Sequence, residues 1–496
     1  MNPRTLAAAT ALALAIGPGW VAAQQPRASQ GPTAQAATTP EDSFTVLRDE
    51  IRRAEQHLQS LNQRLDDLER AQGGTPPPRT STAQQTPTPA QPATSTGGIR
   101  PGTASGGPSI LPPRESVSDP SIAASRQNSL ASPTDPDLKG FIAIPGTETM
   151  IRIGGYAKLD AIATNRPAGD DDQFITSEFP VDGVHRDTPN FNIHAKQTRF
   201  SIEARRPTTR GILRFYLEND FFGSADGYEF RLRHAYGQLG NTYAGYGYSS
   251  FMDADSLPNT LDFEGPGSAP YLLVAGIHHI FSMGKGNTLT LAAEAPQSQI
   301  YNLTGDDIAV ERLPDVTLAA RMERGWGHLQ LSGVARSVGY DGDNELGEDV
   351  LGGGLQLSGS INANENNLWL FGMVAGKGIA RYTTDIGGSG YDAAIGPDGD
   401  LELLTSYGGF FGYTHNWNED WSSNLVFGQL NLSNKNDVLA GDAFKRSRYS
   451  AVNLLWSPAP SWTMGVELLF GQLLLQDGRD ADVMRLQGSL QYSFIK

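Results

Sequence analysis

Apolar and polar side chains alternate along the chain from about residue 149 to the C-terminus. In the first such segment Ile153 and Leu159 lie on one face, and Arg152, Lys158 and Asp160 lie on the other. Strands in soluble β-sandwiches are usually shorter and carry their polar face toward water. Longer segments with an uninterrupted apolar face are typical of strands that separate lipid from a wet lumen. The pattern therefore predicts an all-β transmembrane barrel.

Sixteen such segments start near residues 149, 191, 212, 228, 243, 271, 287, 313, 327, 349, 366, 401, 421, 444, 462 and 482. Residues 139–496 thus give about 22 residues for each strand with its connection. Both this ratio and the even number of strands are typical of single-chain outer-membrane barrels. The connections 206–211 and 457–461 are short. Stretches 167–187 and 386–400 are long, acidic and rich in glycine, so we expect them as outer loops.

Five tryptophans mark the ends of the predicted strands: Trp369, Trp417, Trp421, Trp456 and Trp462. Outer-membrane barrels concentrate aromatic residues in girdles at the two membrane boundaries. We expect a barrel of this size to have no packed apolar interior. The tryptophans are therefore expected to face the membrane boundary rather than a core.

The N-terminal 138 residues lack the alternation of apolar and polar side chains that predicts the barrel. Residues 1–23 predict a secretory signal peptide, with Arg4 as its positive charge, an apolar stretch over 5–16 and small residues before Gln24. A buried N-terminal helix is the alternative. Residues 24–38 are expected to be disordered. Residues 73–138 are rich in proline, threonine, serine, glutamine and glycine, and predict a flexible linker.

Between these segments, residues 39–72 predict a short α-helical coiled coil. Spacings that alternate between three and four residues give a strict heptad period to Phe44, Leu47, Ile51, Ala54, Leu58, Leu61, Leu65 and Leu68. Arg64 and Glu69 flank the last leucines in a pattern that resembles short trimeric coiled coils. All of these residues except Ala54 are candidate trimerisation residues. A dimer with an ordinary surface ion pair and a single amphipathic helix packed elsewhere are the alternatives.

The amino-acid composition argues against several classes of function. The chain has 54 acidic and 38 basic residues, a formal net charge of −16, which argues against a nucleic-acid-binding protein. The absence of cysteine excludes thiolate metal sites and cysteine nucleophiles. The chain contains no G-x-S-x-G or H-E-x-x-H motif. We expect no enzymatic activity, no cofactor and no metal, with a barrel hydrolase carrying a serine–histidine pair at its rim as the enzymatic alternative.

Seven basic residues on the inward face of the predicted strands are the candidate pore lining: Arg152, Lys158, Arg199, Arg205, Arg214, Arg231 and Arg233. Guanidinium groups stay charged and bind carboxylate and phosphate oxygens. Rings of arginine or lysine select anions in pores. The alternative is that these residues pair with lumen acids such as Glu203 and Glu218 and only stiffen the wall.

The segment 251–271 is too long and too rich in proline and glycine for a simple turn. We expect it to fold into the lumen as a constriction loop. Its acidic residues Asp253, Asp255, Asp262 and Glu264 would then face the basic wall and create a transverse electric field. An exposed outer loop is the alternative interpretation.

Several stretches resemble the DcaP-like porin family of Gram-negative bacteria: residues 151–161, 197–200, 218–223, 230–236 and, most specifically, 250–267. The resemblance implies a trimeric outer-membrane diffusion channel, a three-stranded periplasmic coiled coil and passage of small anions such as dicarboxylates. Two stretches beside the predicted constriction depart from the family pattern. They are 245–248, and 271–281, which carries no arginine.

The sequence therefore predicts an outer-membrane porin for passive diffusion of small solutes, preferably anions such as dicarboxylates. Its predicted partners are two further copies of the chain, outer-membrane lipid, lipopolysaccharide and small anionic solutes, with the coiled coil in the periplasm. The alternative is a structural envelope protein, in which the barrel anchors a coiled-coil tether directed toward the cell wall or a periplasmic partner.

Overall fold

The structure, a computed structural model, describes residues 140–183, 187–224, 227–303, 307–342, 347–434 and 436–494. The predicted signal peptide, coiled coil and linker lie outside the described residues.

Sixteen antiparallel strands form one closed barrel in the described part of the chain. They are β1 (Met150–Thr164), β2 (Asn190–His194 and Arg199–Thr208), β3 (Gly211–Asp220), β4 (Arg231–Leu239), β5 (Thr242–Tyr248), β6 (Leu273–Gly284), β7 (Asn287–Glu294), β8 (Asp315–Arg324), β9 (Gly327–Asp341), β10 (Gly347–Asn364), β11 (Asn367–Lys377), β12 (Thr405–Asn416), β13 (Trp421–Ser433), β14 (Phe444–Ala459), β15 (Trp462–Leu475) and β16 (Asp480–Ser493). Strands adjacent in the chain pair with each other, and β1 pairs with β16 to close the barrel.

The predicted number of strands is confirmed, and most strands begin within three residues of the expected position. The largest displacement is at β12, expected near 401 and observed at Thr405. Residues Leu401–Leu403 instead form a separate short strand that pairs with Ala393–Ile395 inside the β11–β12 connection. The alternation of apolar and polar residues near 401 therefore does mark a strand. That strand, Leu401–Leu403, is separate from the barrel wall, and β12 begins after it.

The two faces of the wall follow the alternation. On β1, Lys158 and Asp160 are 1% and 0% exposed and point inward, whereas Ile153 and Leu159 are 45% and 47% exposed and point outward. A water-soluble protein would bury such a belt of large apolar residues. The outward belt is the surface that a bilayer covers.

Connections are short at one end of the barrel and long at the other, and the tryptophans mark the short end. Trp421 and Trp456 stack outward with ring centroids 5.6 Å apart, and Trp369 lies 4.3 Å from the ring of Tyr413. All five predicted girdle tryptophans are at least 36% exposed. Short turns lie on the periplasmic side of outer-membrane barrels, so this girdle marks the periplasmic boundary.

Three long connections fold into the lumen: the β1–β2 loop (165–189, described except for 184–186), the β5–β6 loop (249–272) and the β11–β12 loop (378–404). They contain the three-residue 3-10 helices Thr176–Glu178, Ala254–Ser256 and Ala380–Tyr382. The short strands Ile142–Ala143 and Ile308–Val310 extend the barrel sheet by pairing with β1 and β9. Ile300–Tyr301 lies outside the wall and pairs with Ala393–Ile395 of the β11–β12 loop. None of the described helices is long and apolar enough to cross a membrane.

One side of the interior is a packed apolar core. Phe174 and Phe179 of the β1–β2 loop pack with a cluster that includes Val426, Leu430 and Leu469 from the inner faces of β13 and β15. The expectation of an interior without apolar packing is therefore wrong on this side. The stretches 167–187 and 386–400 lie in connections at the long-loop end as expected, but apolar residues of each, such as Phe174, Phe179 and Ile386, are buried. They fold inward because they carry apolar side chains that the inner wall accommodates.

Candidate functional site in the barrel lumen

Glu203 on β2 is the centre of the first charged cluster on the inner wall. Its carboxylate accepts hydrogen bonds from Arg152 Nη2 at 2.6 Å, Arg205 Nε at 2.7 Å and Arg214 Nε at 2.6 Å. Arg152 lies opposite Glu203, and Arg205 lies opposite Arg214. Opposite residues of antiparallel strands share a face, so the register brings all four side chains together inside the barrel.

A second cluster surrounds Glu218 and Asp220 on β3. Arg231 donates to both carboxylate oxygens of Asp220, at 2.9 and 2.7 Å. Arg233 donates to Glu218 at 2.9 Å and to Asp220 at 3.3 Å. Arg199 lies 3.7 Å from Glu218. Strands β2 and β4 thus place three guanidinium groups around two carboxylates of β3.

The inner wall on β1–β4 nevertheless carries a surplus of positive charge. All seven predicted basic residues have a carboxylate partner, as the alternative interpretation held. Within the described residues of β2 and β3, the six arginines bind three carboxylates, those of Glu203, Glu218 and Asp220. Lys158 pairs with Asp160 at 3.2 Å. The side chains of Arg231 and Arg205 are 33% and 22% exposed, against 1% for Arg233. The surplus charge is therefore accessible to solvent at Arg231 and Arg205.

Two basic residues connect this wall to the β5–β6 loop and its flanks. Arg233 Nη2 donates to the hydroxyl oxygens of Tyr248 and Tyr271, each at 2.9 Å. Lys158 Nζ donates to the carbonyl oxygen of Leu261 at 2.6 Å. Because Arg233 and Lys158 are almost fully buried, their contribution here is to hold the loop inside the lumen.

The first two acids of the β5–β6 loop face away from the basic wall. Asp253 accepts a hydrogen bond from Arg321 Nη1 at 3.1 Å and lies 2.8 Å from His328 Nε2. Asp255 accepts from Arg321 Nη2 at 2.7 Å. The expectation that they oppose the wall of β2–β4 is wrong, since the loop reaches across to β8 and β9. Burial opposes ionisation of Asp253, but hydrogen bonding and charge from His328, with the Arg321 charge, hold its pKa well below the usual value.

The other two acids lie against a different part of the interior. Asp262 accepts from the backbone nitrogens of Phe174 at 3.1 Å and Gly265 at 3.0 Å. Burial raises the pKa of Asp262. Burial, together with the negative charges of Asp262 and Asp385, raises the pKa of Glu264 well above its usual value. Glu264 therefore carries a full negative charge only at higher pH than an ordinary glutamate.

Glycines on the inner wall leave room for the loop. A Cβ on Gly428 would lie 2.8 Å from Cβ of Pro266, and one on Gly412 would lie 2.9 Å from Cβ of Pro258. Both distances are shorter than side chains tolerate without rearrangement. Inward glycines of β12 and β13 are thus required for the β5–β6 loop to lie this close to the wall.

A buried charged network near the β11–β12 loop lies outside the predicted pore lining, although alternation places its Arg336 on the inward face of β9. Arg336 donates to Asp392 at 2.7 Å, and Arg381 donates to Asp315 at 3.2 Å. Tyr382 also donates to Asp315, at 2.7 Å. Asp315 could have been found, because it begins β8 on the same face as Arg321. Arg381 and Asp392 lie in a loop without periodicity, so no sequence pattern indicated them.

A family model and two solved structures are similar to this chain. A family model described as a porin subfamily matches residues 138–470. The outer membrane channel DcaP of Acinetobacter baumannii has a similar structure, with 20% sequence identity and a TM-score of 0.63 over 72% of this chain and 100% of that chain. An anion-selective porin from Comamonas acidovorans is similar at 11% identity and a TM-score of 0.47, over 70% of this chain and 100% of that chain. No curated protein matches the sequence.

Proposed function

Since the chain belongs to the porin subfamily and its barrel is that of an outer-membrane channel, we propose that it passes small anions, such as dicarboxylates, by passive diffusion. The observation that supports this preference is the sharing of three carboxylates by six arginines on the inner wall. An excess of fixed positive charge raises the local concentration of anions and lowers that of cations.

Arg231 and Arg205 are the groups through which this preference would act. Both are partly exposed, so their guanidinium edges can meet a passing carboxylate while each keeps its bond to the wall. Guanidinium groups bind carboxylates through paired hydrogen bonds and stay charged at all relevant pH values. A solute with two carboxylates gains more from this surplus than one with a single charge.

The test is the reversal potential of single channels under a potassium chloride gradient. The double variant Arg205→Gln with Arg231→Gln should lower the chloride-to-potassium permeability ratio at least about twofold, because it removes most of the exposed surplus charge. Succinate should block chloride current less in this variant than in the wild type. Arg446→Gln is the matched control, since the same change there lies on the outward face of β14.

Unchanged selectivity in the double variant would contradict the assignment of Arg205 and Arg231. A wild-type channel that prefers potassium would contradict anion preference altogether. Barrels that insert but never conduct would favour the second candidate, a structural anchor whose predicted coiled coil at 39–72 extends toward the cell wall. The homotrimer and the periplasmic position of that coil belong to the proposal, and current steps arriving in threes would support the trimer.

A further inference from the structure

The outward face of β13, β14 and β15 changes abruptly from apolar to polar toward the long-loop end. Phe427 and Phe470 are 49% and 43% exposed, in the apolar belt. One outward position further along, Gln429, Arg448 and Gln472 lie side by side on the three strands. Arg448 donates to Gln429 Oε1 at 2.9 Å and to Gln472 Oε1 at 3.3 Å. Two neutral amides thus hold the Arg448 guanidinium in place without neutralising its charge.

A cleft of about 750 Å³ lies directly beyond this row. Tyr407, Asn431, Lys445 and Arg446 are among the residues that line it. Asn431 lies opposite Arg446 in the strand pairing, on the same outward face as the row below. We call Lys445, Arg446 and Arg448, together with this cleft, the outward basic patch.

The charges of the outward basic patch are not compensated as those of the lumen are. Within the described residues, no carboxylate lies within 4.0 Å of the charged groups of Lys445, Arg446 or Arg448. Asp437 and Asp477 also line the cleft. Among the described contacts, Asp437 makes no ion pair within 4.0 Å with these cations, and Asp477 binds Arg479 at 2.8 Å. Three cations side by side repel one another, so the patch is best satisfied by an anion from outside the chain.

The height of the patch on the wall indicates which anion. Trp456 belongs to the girdle on the periplasmic side, and Arg446 lies ten residues before it on β14. At about 3.3 Å per residue and a strand tilt of about 40°, that separation is roughly 25 Å along the barrel axis. The apolar band of an outer-membrane barrel is also about 25 Å tall. Arg446 therefore lies at the opposite membrane boundary, level with lipid headgroups.

The polar change is local to these strands. On β10 the outward residue Leu351 is 76% exposed close to the long-loop end, and on β2 the corresponding Phe191 is 65% exposed. Those strands stay apolar where β13–β15 carry glutamine and arginine. A uniform requirement for a polar rim would place such residues on every strand, so the patch has a local cause.

We propose that the outward basic patch binds the phosphate groups of a glycolipid headgroup of the lipopolysaccharide type in the outer leaflet. Arginine forms paired, charge-assisted hydrogen bonds with phosphate oxygens, and clusters of basic residues at a membrane boundary attract anionic headgroups. The acyl chains of the same molecule lie along Phe427 and Phe470. The proposal is independent of the solute that the channel passes.

The experiment is native mass spectrometry of the full chain, refolded in a neutral detergent and titrated with diphosphoryl lipid A. Wild type should hold the lipid through repeated washing and should not hold phosphatidylcholine under the same conditions. The double variant Arg446→Gln with Arg448→Gln should bind lipid A at least about tenfold more weakly, because each arginine supplies charge-assisted bonds. The matched control is Arg206→Gln with Arg210→Gln, two exposed arginines at the other end of the wall, which should bind as wild type.

Three outcomes would overturn the proposal. Equal binding of lipid A by the wild type and the patch variant would show that the patch makes no contact with it. Competition by inorganic pyrophosphate as effective as by lipid A would show that the patch is a site for free phosphate instead. Loss of the oligomer in the patch variant, with no lipid bound to the wild type, would show that this face contacts a second copy. Single-channel conductance of the patch variant should equal that of the wild type and serves as the check that it has folded.

Discussion

The two sides of the barrel interior are built in opposite ways. On β1–β4, inward side chains are charged, and guanidinium groups outnumber the carboxylates that they bind. On β13–β15, inward residues such as Val426, Leu430 and Leu469 are at most 1% exposed and pack against Phe174 of the β1–β2 loop. Close-packed apolar groups exclude water. The apolar side therefore holds the inward loops in place, and we expect permeating solutes to follow the charged side.

This division shows how the interior of a wide barrel can be partly filled. Sixteen strands alone would enclose an open aqueous channel. The packed side fills part of the cross-section without adding charge, so the field inside the lumen is set by the ion-paired side. Substitutions on the two sides should therefore affect different properties. Those on the charged side should alter ion selectivity, and those on the apolar side should alter conductance.

The largest effect is expected for Glu203→Ala. Three guanidinium groups lose their shared carboxylate, and removing one partner of a buried ionic cluster costs about 3–5 kcal/mol in the free energy of unfolding. Urea denaturation in detergent measures this loss. The surviving channels should prefer anions more strongly, because the surplus charge rises. Glu365→Ala, in an exposed short turn, is the control, and equal unfolding midpoints for the two variants would contradict the prediction.

A smaller effect is expected for Gly471→Ala on the apolar side. The added Cβ would lie 2.6 Å from Phe179 and 2.8 Å from Phe174, and such overpacking costs about 1–3 kcal/mol. Displacement of the β1–β2 loop should raise single-channel conductance and leave the reversal potential unchanged. Gly325→Ala places its Cβ in open space and is the control. A change in selectivity without a change in conductance would reverse the roles assigned to the two sides.

The smallest expected effect is a change of stability and anion preference with pH, caused by ionisation of Glu264. Its pKa is raised in the folded protein by burial and by neighbouring carboxylates. The stability that its neutral form contributes is therefore complete below the ordinary glutamate pKa and is lost as pH rises through the raised value. Anion preference should weaken over the same range as the loop gains negative charge. Glu264→Gln should reduce this pH dependence of the reversal potential, and an identical pH profile in both proteins would contradict the role of Glu264.

The basic residues of the charged side and acidic partners such as Glu203 and Glu218 were predictable from the sequence, but which guanidinium group binds which carboxylate was not. Alternation correctly placed Arg205 and Arg214 on the inward face, because side-chain direction along a strand has a period of two. It could not show that both bind Glu203, since that depends on the register between β2 and β3. Asp253 was assigned to the correct loop but to the wrong partner, because the path of a loop across a lumen leaves no periodic signal.

The apolar side was missed for a different reason. Both faces of β13 carry large apolar residues toward the long-loop end of its membrane belt: Val426 and Leu430 inside, and Leu425 and Phe427 outside. A pattern with apolar residues on both faces predicts burial on both. The apolar inner face of β13 conflicts with the expectation that the interior of a wide barrel is filled with water.

The attachment of Leu261 has a consequence for the order in which the molecule assembles. Its backbone contacts Lys158 on β1, Glu467 on β15 and Gln487 on β16, which are 103, 206 and 226 residues away in the chain. Contacts between residues so far apart in sequence form late in folding. Two of these three anchors belong to the strands that meet when the first and last strands pair. The loop that shapes the lumen therefore reaches its final position only after the cylinder is complete, and a protein that stalls before closure has no formed pore.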